Sequence, residues 1–234
     1  MSTPDPRRDE LRARLQLTRA RIDRACLDAG RTERPTLIVV TKFFPAADVN
    51  RLAELDVRDI GENRDQEARV KVTEIADRGR LTVHFIGQLQ TNKAASVARY
   101  ADVVHSVDRP KLAQALGGAA ARYGRCLETL IQVDLSQAPG RGGVQPTQAR
   151  ALADIVAATE GLNLRGVMAV APLGADPAAA FERLAGLADG IRADHPSAQW
   201  ISAGMSGDLE IAVRFGATHL RVGSAILGSR PPRG

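Results

Sequence analysis

The chain has 234 residues, of which 44% are hydrophobic and 25% charged, and its formal net charge is +5. This length and apolar content suffice for one well-packed core, so we expect one large α/β domain rather than two small ones. Its two cysteines, Cys26 and Cys126, lie outside any CxxC motif or Cys/His cluster. That spacing argues against a disulfide scaffold and a structural zinc site, and it indicates a reducing compartment.

The composition also bears on membranes and nucleic acids as partners. No apolar run approaches the roughly 20 residues that cross a bilayer, and the first segment has no signal-like apolar block. We therefore expect a cytoplasmic protein without a membrane partner. Basic residues crowd the N-terminal segment, but acidic residues interleave them as on a solvated helix face, and aromatic residues make up only 3% of the chain. The interleaved acidic residues and the scarcity of aromatic residues both argue against nucleic-acid binding.

The predicted elements alternate along the chain. It begins with an amphipathic helix, in which Leu11, Leu15, Ile22 and Cys26 recur at helical spacing until Gly30 ends it. Runs rich in β-branched residues then predict strands at 37–41, 57–60, 83–86, 103–107, 129–135, 164–170, 200–203 and 219–222. Good helix formers between them predict helices at 46–55, 62–78, 91–99, 110–122, 146–159, 177–193 and 207–215.

This alternation predicts a parallel sheet covered by helices, and eight such units match a single (β/α)8 barrel of the TIM type. Because the chain starts with a helix and stops soon after the last strand, we expect that helix to fill the outer position of a final one. The predicted single domain spans 1–234, with the N-terminal helix at 1–30 and the barrel at 35–228. An open, doubly wound sheet is the alternative fold.

In such a barrel, functional residues follow the strands. Lys42 follows the first strand in the run V-T-K-F-F-P. Desolvation after a buried run favours the neutral amine, which is a nucleophile toward aldehydes. A lysine paired with a carboxylate at the barrel mouth is the alternative interpretation.

The turns after the last two strands predict a phosphate site. Strand seven runs into G-M-S-G-D, where Ser206 is a good helix N-cap, and strand eight runs into R-V-G-S, where Gly223 and Ser224 form a second turn. Barrels of this type often bind phosphate at these two turns. Ordinary helix capping is the alternative interpretation for each turn.

Two further residues are candidate ligand contacts. Arg221 lies two residues before Gly223, so the two share one face of the strand, which points inward if Gly223 approaches a ligand. An arginine in an ion pair within the barrel is the alternative. Asn63 follows the second strand in I-G-E-N and is a candidate contact to a phosphate or ring oxygen, or else a polar loop residue. We assign no chemical role to His84, which is as easily a satisfied core histidine.

Seven segments in one order resemble the pyridoxal phosphate homeostasis protein family over about residues 10–230. They are V-T-K-F-F-P around Lys42, G-E-N-R-D-Q-E from Gly61, H-F-I-G-Q-L-Q-T-N-K from His84, L-I-Q-V-D-L from Leu130, L-R-G-V-M-A from Leu164, G-M-S-G-D from Gly204 and G-A-T-H-L-R-V-G-S-A-I-L-G from Gly216. The family is similar in fold to the N-terminal barrel of alanine racemase, a fold type III pyridoxal 5′-phosphate (PLP) enzyme, and lacks the C-terminal β-domain of that racemase.

The resemblance implies PLP as cofactor and a role for each candidate residue. It implies Lys42 as the Schiff-base lysine, Arg221 at the pyridine nitrogen, and help from Asn63. It also implies phosphate contacts from Ser206, Gly223 and Ser224, the last standing where threonine is common.

The sequence favours cofactor binding over turnover. A racemase needs a second base, and the only tyrosines, Tyr100 and Tyr123, precede strands and so belong at the far end of the barrel. An arginine beside the pyridine nitrogen also weakens the ring as an electron sink. We therefore expect no catalytic residue, and a monomeric PLP carrier in vitamin B6 homeostasis whose transient recipients are PLP-dependent apo-enzymes. A slow amino-acid racemase or related lyase is the alternative.

Overall fold

A computed structural model describes residues 4–136, 142–172, 174 and 176–229 of the chain. Eight parallel strands follow one another in sequence order and close into a barrel in which the last strand pairs with the first. They are β1 (Thr36–Val40), β2 (Asp59–Glu62), β3 (Thr82–Phe85), β4 (Val103–Val107), β5 (Leu127–Gln132), β6 (Leu162–Met168), β7 (Trp200–Ser202) and β8 (His219–Val222). The predicted barrel is confirmed, and the doubly wound alternative is excluded.

Helices cover the outside of the barrel. They are α1 (Pro6–Asp28), α2 (Ala46–Glu54), α3 (Asp65–Lys71), α4 (Ala94–Tyr100), α5 (Pro110–Arg122), α6 (Ala149–Ala157), α7 (Pro177–Asp194), α8 (Leu209–Arg214) and the short α9 (Ser224–Leu227). The N-terminal helix α1 packs against α8, α9 and α2. It therefore fills the gap in the outer ring between α8 and α2, as the sequence predicts.

The limits of α1 follow from its terminal residues. Asp5 caps the helix by accepting a hydrogen bond from the backbone N–H of Arg8, and Pro6 occupies the first turn, where no N–H is needed. Gly30, two residues beyond the helix, has a φ of 65°, which glycine adopts at little cost. Within the described residues, no helix is long and apolar enough to cross a membrane.

The barrel interior divides into an apolar part and a polar part. Four side chains from consecutive strands, Val103, Leu130, Met168 and Trp200, form a small apolar cluster. The polar part consists of His84, His105, Ser202, His219 and Arg221, all buried. The main core lies between the strands and the helices.

Two predicted elements differ from the structure in ways that affect the site. The helix predicted at 62–78 is shorter, because Glu62 still pairs with Phe85 in the sheet and α3 ends at Lys71. Short 3-10 turns follow at Val72–Glu74 and Arg78–Arg80. The helix predicted at 207–215 begins at Leu209.

Candidate functional site

Lys42 lies at the rim where the carboxyl ends of the strands meet. It follows β1 by two residues and is half-buried, between buried Thr41 and half-buried Phe43. Its amine lies 5.8 Å from the centre of the Phe43 ring. Among the residues that the structure describes, no carboxylate lies within 4.0 Å of this amine, so the alternative of a mouth ion pair finds no support there.

Arg221 occupies the barrel interior on the neighbouring strand β8, where its backbone is in register with Ile38 of β1. Its side chain donates hydrogen bonds to Ser202 Oγ at 2.5 Å and to the carbonyl oxygen of Ala169 at 2.9 Å. Burial lowers the pKa of Arg221 to about 10, so the guanidinium remains charged at neutral pH. In the described part of the chain Arg221 forms no salt bridge. The alternative of an arginine in an ion pair within the barrel therefore finds no support there.

Ser206 and Ser224 come together at the ends of β7 and β8. The Ser224 hydroxyl donates a hydrogen bond of 3.3 Å to the Ser206 hydroxyl. Ser224 is exposed and Ser206 half-buried, so the pair is open to a ligand. Between them, a Cβ added at Gly223 would lie 3.3 Å from both the Cβ and the carbonyl oxygen of Val40. A side chain at Gly223 would therefore crowd the end of β1, close to Lys42.

Ser206 is not the N-cap that the sequence predicts. The helix α8 begins three residues later, and Asp208 stands at its cap position without a capping hydrogen bond from its side chain. The carboxylate of Asp208 instead accepts a hydrogen bond from the backbone N–H of Met205 at 2.6 Å. This contact closes the turn and leaves the Ser206 hydroxyl free to face Ser224.

Asn63 follows β2 on the same rim and is half-buried. It lines a cleft of about 400 Å³ together with Gln88, Gln90 and Lys93. Lys42 is not among the residues that line this cleft. The role of Asn63 as a cofactor contact therefore stays a prediction.

Sequence reasoning missed a buried chain of polar side chains behind Arg221. Ser202 Oγ lies 3.0 Å from His105 Nδ1, and His105 Nε2 lies 2.9 Å from His84 Nδ1. His84 Nε2 then lies 3.0 Å from Asp59 Oδ1, at the start of β2. The sequence contains one signal for these residues, because His84, His105 and Ser202 each lie within a predicted strand. The alternation of strands and helices does not, however, identify which side chains bind one another.

With both histidine rings neutral, the hydrogen bonds from Arg221 to Asp59 have one consistent donor-to-acceptor direction. A guanidinium can only donate, so Ser202 accepts from Arg221 and its own proton is available to His105 Nδ1. His105 then donates from Nε2 to His84, and His84 donates from Nε2 to the carboxylate of Asp59. Burial lowers the pKa of His105 well below its ordinary value, which keeps the ring neutral as this arrangement requires.

The chain is similar to known proteins over most of its length. The profile described as the N-terminal domain of alanine racemase matches residues 18–231. A pyridoxal phosphate homeostasis protein of Corynebacterium glutamicum is 42% identical over 220 residues, which cover 91% of this chain and 98% of that relative. The chain belongs to the pyridoxal phosphate homeostasis protein family. Another member of this family, from Pseudomonas aeruginosa, is 39% identical over 212 residues, covering 90% of this chain and 92% of the relative.

Solved structures agree with membership of the pyridoxal phosphate homeostasis protein family. PipY of Synechococcus elongatus, whose structure is described with PLP bound, has a TM-score of 0.82 and 33% identity over 93% of this chain and all of its own. Alanine racemase of Clostridium difficile has a TM-score of 0.71 and 15% identity, over 93% of this chain and 56% of the racemase. At that identity the likeness to the racemase concerns the fold alone. The family resemblance inferred from the motifs is confirmed.

Proposed function

We propose that this protein binds PLP as a Schiff base on Lys42 and takes part in intracellular PLP homeostasis, without efficient catalysis of its own. The observation that carries the proposal is that a lysine amine and a pair of serine hydroxyls follow neighbouring strands at one rim of the barrel, with a buried guanidinium in the interior on one of those strands. The similarity to PipY, which is 33% identical over 93% of this chain and whose structure is described with PLP bound, supports it.

The donor set matches the polar groups of PLP. The Lys42 amine suits the aldehyde: a C=N bond forms between them and one water leaves. Ser206, Gly223 and Ser224 suit the phosphate, because two hydroxyls and a backbone N–H with no side chain beside it offer donors to its oxygens. We assign Asn63 to the same ligand as a supporting contact from the neighbouring strand β2.

Arg221 is assigned to the pyridine nitrogen. As a buried cation it can donate a hydrogen bond to that nitrogen, and its charge opposes protonation of the ring. An unprotonated ring is a weaker electron sink, so proton removal from a bound amino acid is disfavoured. This residue therefore favours holding the cofactor over using it.

The positions of the tyrosines argue against the alternative of a slow racemase or lyase. Tyr100 ends α4 and Tyr123 directly follows α5, so both lie just before strands β4 and β5. This is the end of the barrel opposite to Lys42. Neither tyrosine therefore lies where a second base could reach a substrate on Lys42.

The sequence allows a sharp test, because it contains only four lysines: Lys42, Lys71, Lys93 and Lys111. The purified protein is incubated with PLP, freed of excess cofactor, and examined for the visible absorbance of a Schiff base. The sample is then reduced with borohydride and digested, and the labelled lysine is identified by mass. We expect the band and the label in the parent and their loss in Lys42→Ala.

Lys93→Ala is the matched control, because Lys93 is also half-buried and follows β3 on the same side of the barrel. This variant should bind PLP as the parent does. If the parent stays colourless, or if Lys42→Ala is labelled as strongly as the parent, the proposed function is wrong.

We further propose that the protein is a cytoplasmic monomer that passes PLP to PLP-dependent apo-enzymes. The PLP-loaded protein should reactivate an apo-aminotransferase faster than the same concentration of free PLP in the presence of a PLP-consuming phosphatase. Equal rates would contradict the transfer. Light scattering of the eluted protein tests the monomeric state.

A further inference from the structure

Lys71, the last residue of α3, is a buried lysine with 5% of its side chain exposed. Its ammonium donates hydrogen bonds to the carbonyl oxygen of Thr41 at 2.8 Å, to Glu62 Oε1 at 2.7 Å and to Glu67 Oε1 at 2.8 Å. An ammonium has three donors, so every one of them is used. Lys71 therefore has no spare donor for a ligand, and its role must lie in what it holds.

The groups that Lys71 and its partner Glu67 hold are the two peptide units that flank Lys42. Lys71 binds the carbonyl of Thr41, the residue before Lys42. Glu67 Oε1 accepts a hydrogen bond from the backbone N–H of Phe43, the residue after it, at 2.5 Å. Phe43 has a φ of 73°, in the left-handed region that residues with a side chain rarely adopt. The strained turn that presents Lys42 is thus held on both sides.

Glu62 makes this arrangement depend on the charge of Lys71. Its carboxylate is fully buried at the end of β2 and also accepts a hydrogen bond from Thr41 Oγ1 at 2.6 Å. Burial raises the pKa of Glu62, and the neighbouring Lys71 opposes that rise. Loss of the ammonium would leave a buried carboxylate without its cation, so the cluster would rearrange or take up a proton.

We propose that Lys71, with Glu62 and Glu67, is a positioning residue that sets how favourably Lys42 forms its bond to the cofactor aldehyde. The inference rests on the proposed function, because it concerns the same lysine. Because the backbone on both sides of Lys42 is already fixed, this segment loses less conformational entropy when Lys42 binds the cofactor. The bound state is therefore favoured. The cluster acts through Lys42 and contacts no cofactor itself.

The test compares Lys71→Met, Glu67→Ala and Glu67→Gln with the parent. For each protein we would measure the PLP dissociation constant and, at saturating PLP, the fraction of bound cofactor that borohydride fixes on Lys42. Loss of a hydrogen bond to a charged group predicts a dissociation constant raised roughly tenfold in Lys71→Met and Glu67→Ala, with a lower fixed fraction. Glu67→Gln keeps an oxygen acceptor for the Phe43 N–H and should be less affected than Glu67→Ala.

Arg78→Met is the control for a purely structural loss. Arg78 also joins a carboxylate and the backbone, binding Asp102 Oδ2 at 2.5 Å and the carbonyl of Tyr100 at 2.7 Å, but just before β4, at the opposite end of the barrel. This variant should lose thermal stability and fix the same fraction of PLP as the parent. The fixed fraction, measured well below each melting temperature, therefore separates positioning from stability.

The outcomes distinguish the inference from the proposed function. If the parent forms no Schiff base on Lys42, the proposed function itself fails. If the parent does, and Lys71→Met and Glu67→Ala bind and fix PLP as the parent does, the inference is overturned and the proposed function stands. Should Lys71→Met not fold, Glu67→Ala decides, because 26% of the Glu67 side chain is exposed and its loss is better tolerated.

Discussion

Arg221 donates a hydrogen bond of 2.5 Å to the hydroxyl of Ser202, which is itself completely buried in the barrel. The contact begins the chain of side chains that ends at Asp59, and it orients a cation that forms no salt bridge within the described residues. A buried, unpaired cation costs stability, and proteins retain such costs where a function requires them. If Arg221 binds the cofactor as proposed, it is the residue at which the needs of the fold and of the proposed site conflict.

Arg221→Met should weaken PLP binding at least tenfold and change the stability of the apo-protein by less than about 1 kcal/mol. The small effect on stability follows from two opposing terms, relief of the buried charge and loss of two hydrogen bonds. PLP titration and urea unfolding of the apo-protein measure the two quantities. Arg109→Met is the control: Arg109 binds the carbonyl of Leu89 and the hydroxyl of Thr91, and its loss should lower stability without changing PLP affinity.

Ser206→Ala and Ser224→Ala should each raise the PLP dissociation constant about three- to tenfold, because a hydroxyl bonded to phosphate contributes roughly 1 kcal/mol. The matched ligand is pyridoxal, which has the same aldehyde and ring but no phosphate. Its affinity should be the same for both variants and the parent. An equal loss for PLP and pyridoxal would mean that the two serines do not bind the phosphate.

His219 makes the fold sensitive to acid. Burial lowers its pKa to about 4, so between that pH and about 6.5 the unfolded chain binds a proton that the folded chain does not. Stability is therefore full above about pH 6.5 and falls with pH below it. The titration of His219 alone should lower the free energy of unfolding by about 2 kcal/mol between pH 7.5 and pH 5.

The test of this acid sensitivity uses urea unfolding of the apo-protein at both pH values. The chain has a single tryptophan, and the ring of Trp200 lies 4.4 Å from that of His219, so its fluorescence reports on this part of the core. His219→Gln should lose less stability on acidification than the parent, by about 2 kcal/mol. The same pH dependence in both proteins would contradict the assignment.

Gly166→Ala should destabilise the barrel by about 3 kcal/mol or more. Gly166 lies in β6 with a φ of 147°, and a Cβ there would lie 1.9 Å from the carbonyl oxygen of Trp200. Gly186→Ala is the matched control, since Gly186 lies within α7 and a Cβ there meets nothing within 4 Å. Gly186→Ala should raise the free energy of unfolding by up to about 1 kcal/mol, because alanine favours a helix more than glycine does. Equal unfolding free energies for the two variants would show that the backbones of Gly166 and Trp200 can move apart to accept a side chain.

The barrel follows from local patterns along the chain. Strands β4 and β8 have the predicted limits, because their runs of apolar and β-branched residues are bounded by clear turn residues. The position of Lys42 after a buried strand, and of Gly223 and Ser224 after the last one, also follows from the order of elements. Each of these inferences needs only the burial and backbone preference of neighbouring residues, which a sequence displays directly.

The partners of the polar side chains were decided by the tertiary structure. Glu67 and Lys71 stand at i and i+4, a spacing typical of an exposed helix pair, yet Lys71 is buried against Glu62 and the backbone of Thr41. Ser206 has the residue type of an N-cap, but the contact between Asp208 and Met205 moves the start of the helix beyond it.

The sequence by itself determined the alternation of strands and helices, the family, and the rim on which the candidate residues lie. Only closure of the barrel decided that Arg221 reaches Asp59 through Ser202, His105 and His84, and that Lys71 supports Lys42. The physical reason is that burial and backbone preference are properties of a local segment. The partner of a hydrogen bond or an ion pair depends instead on which distant segments the closed sheet brings together.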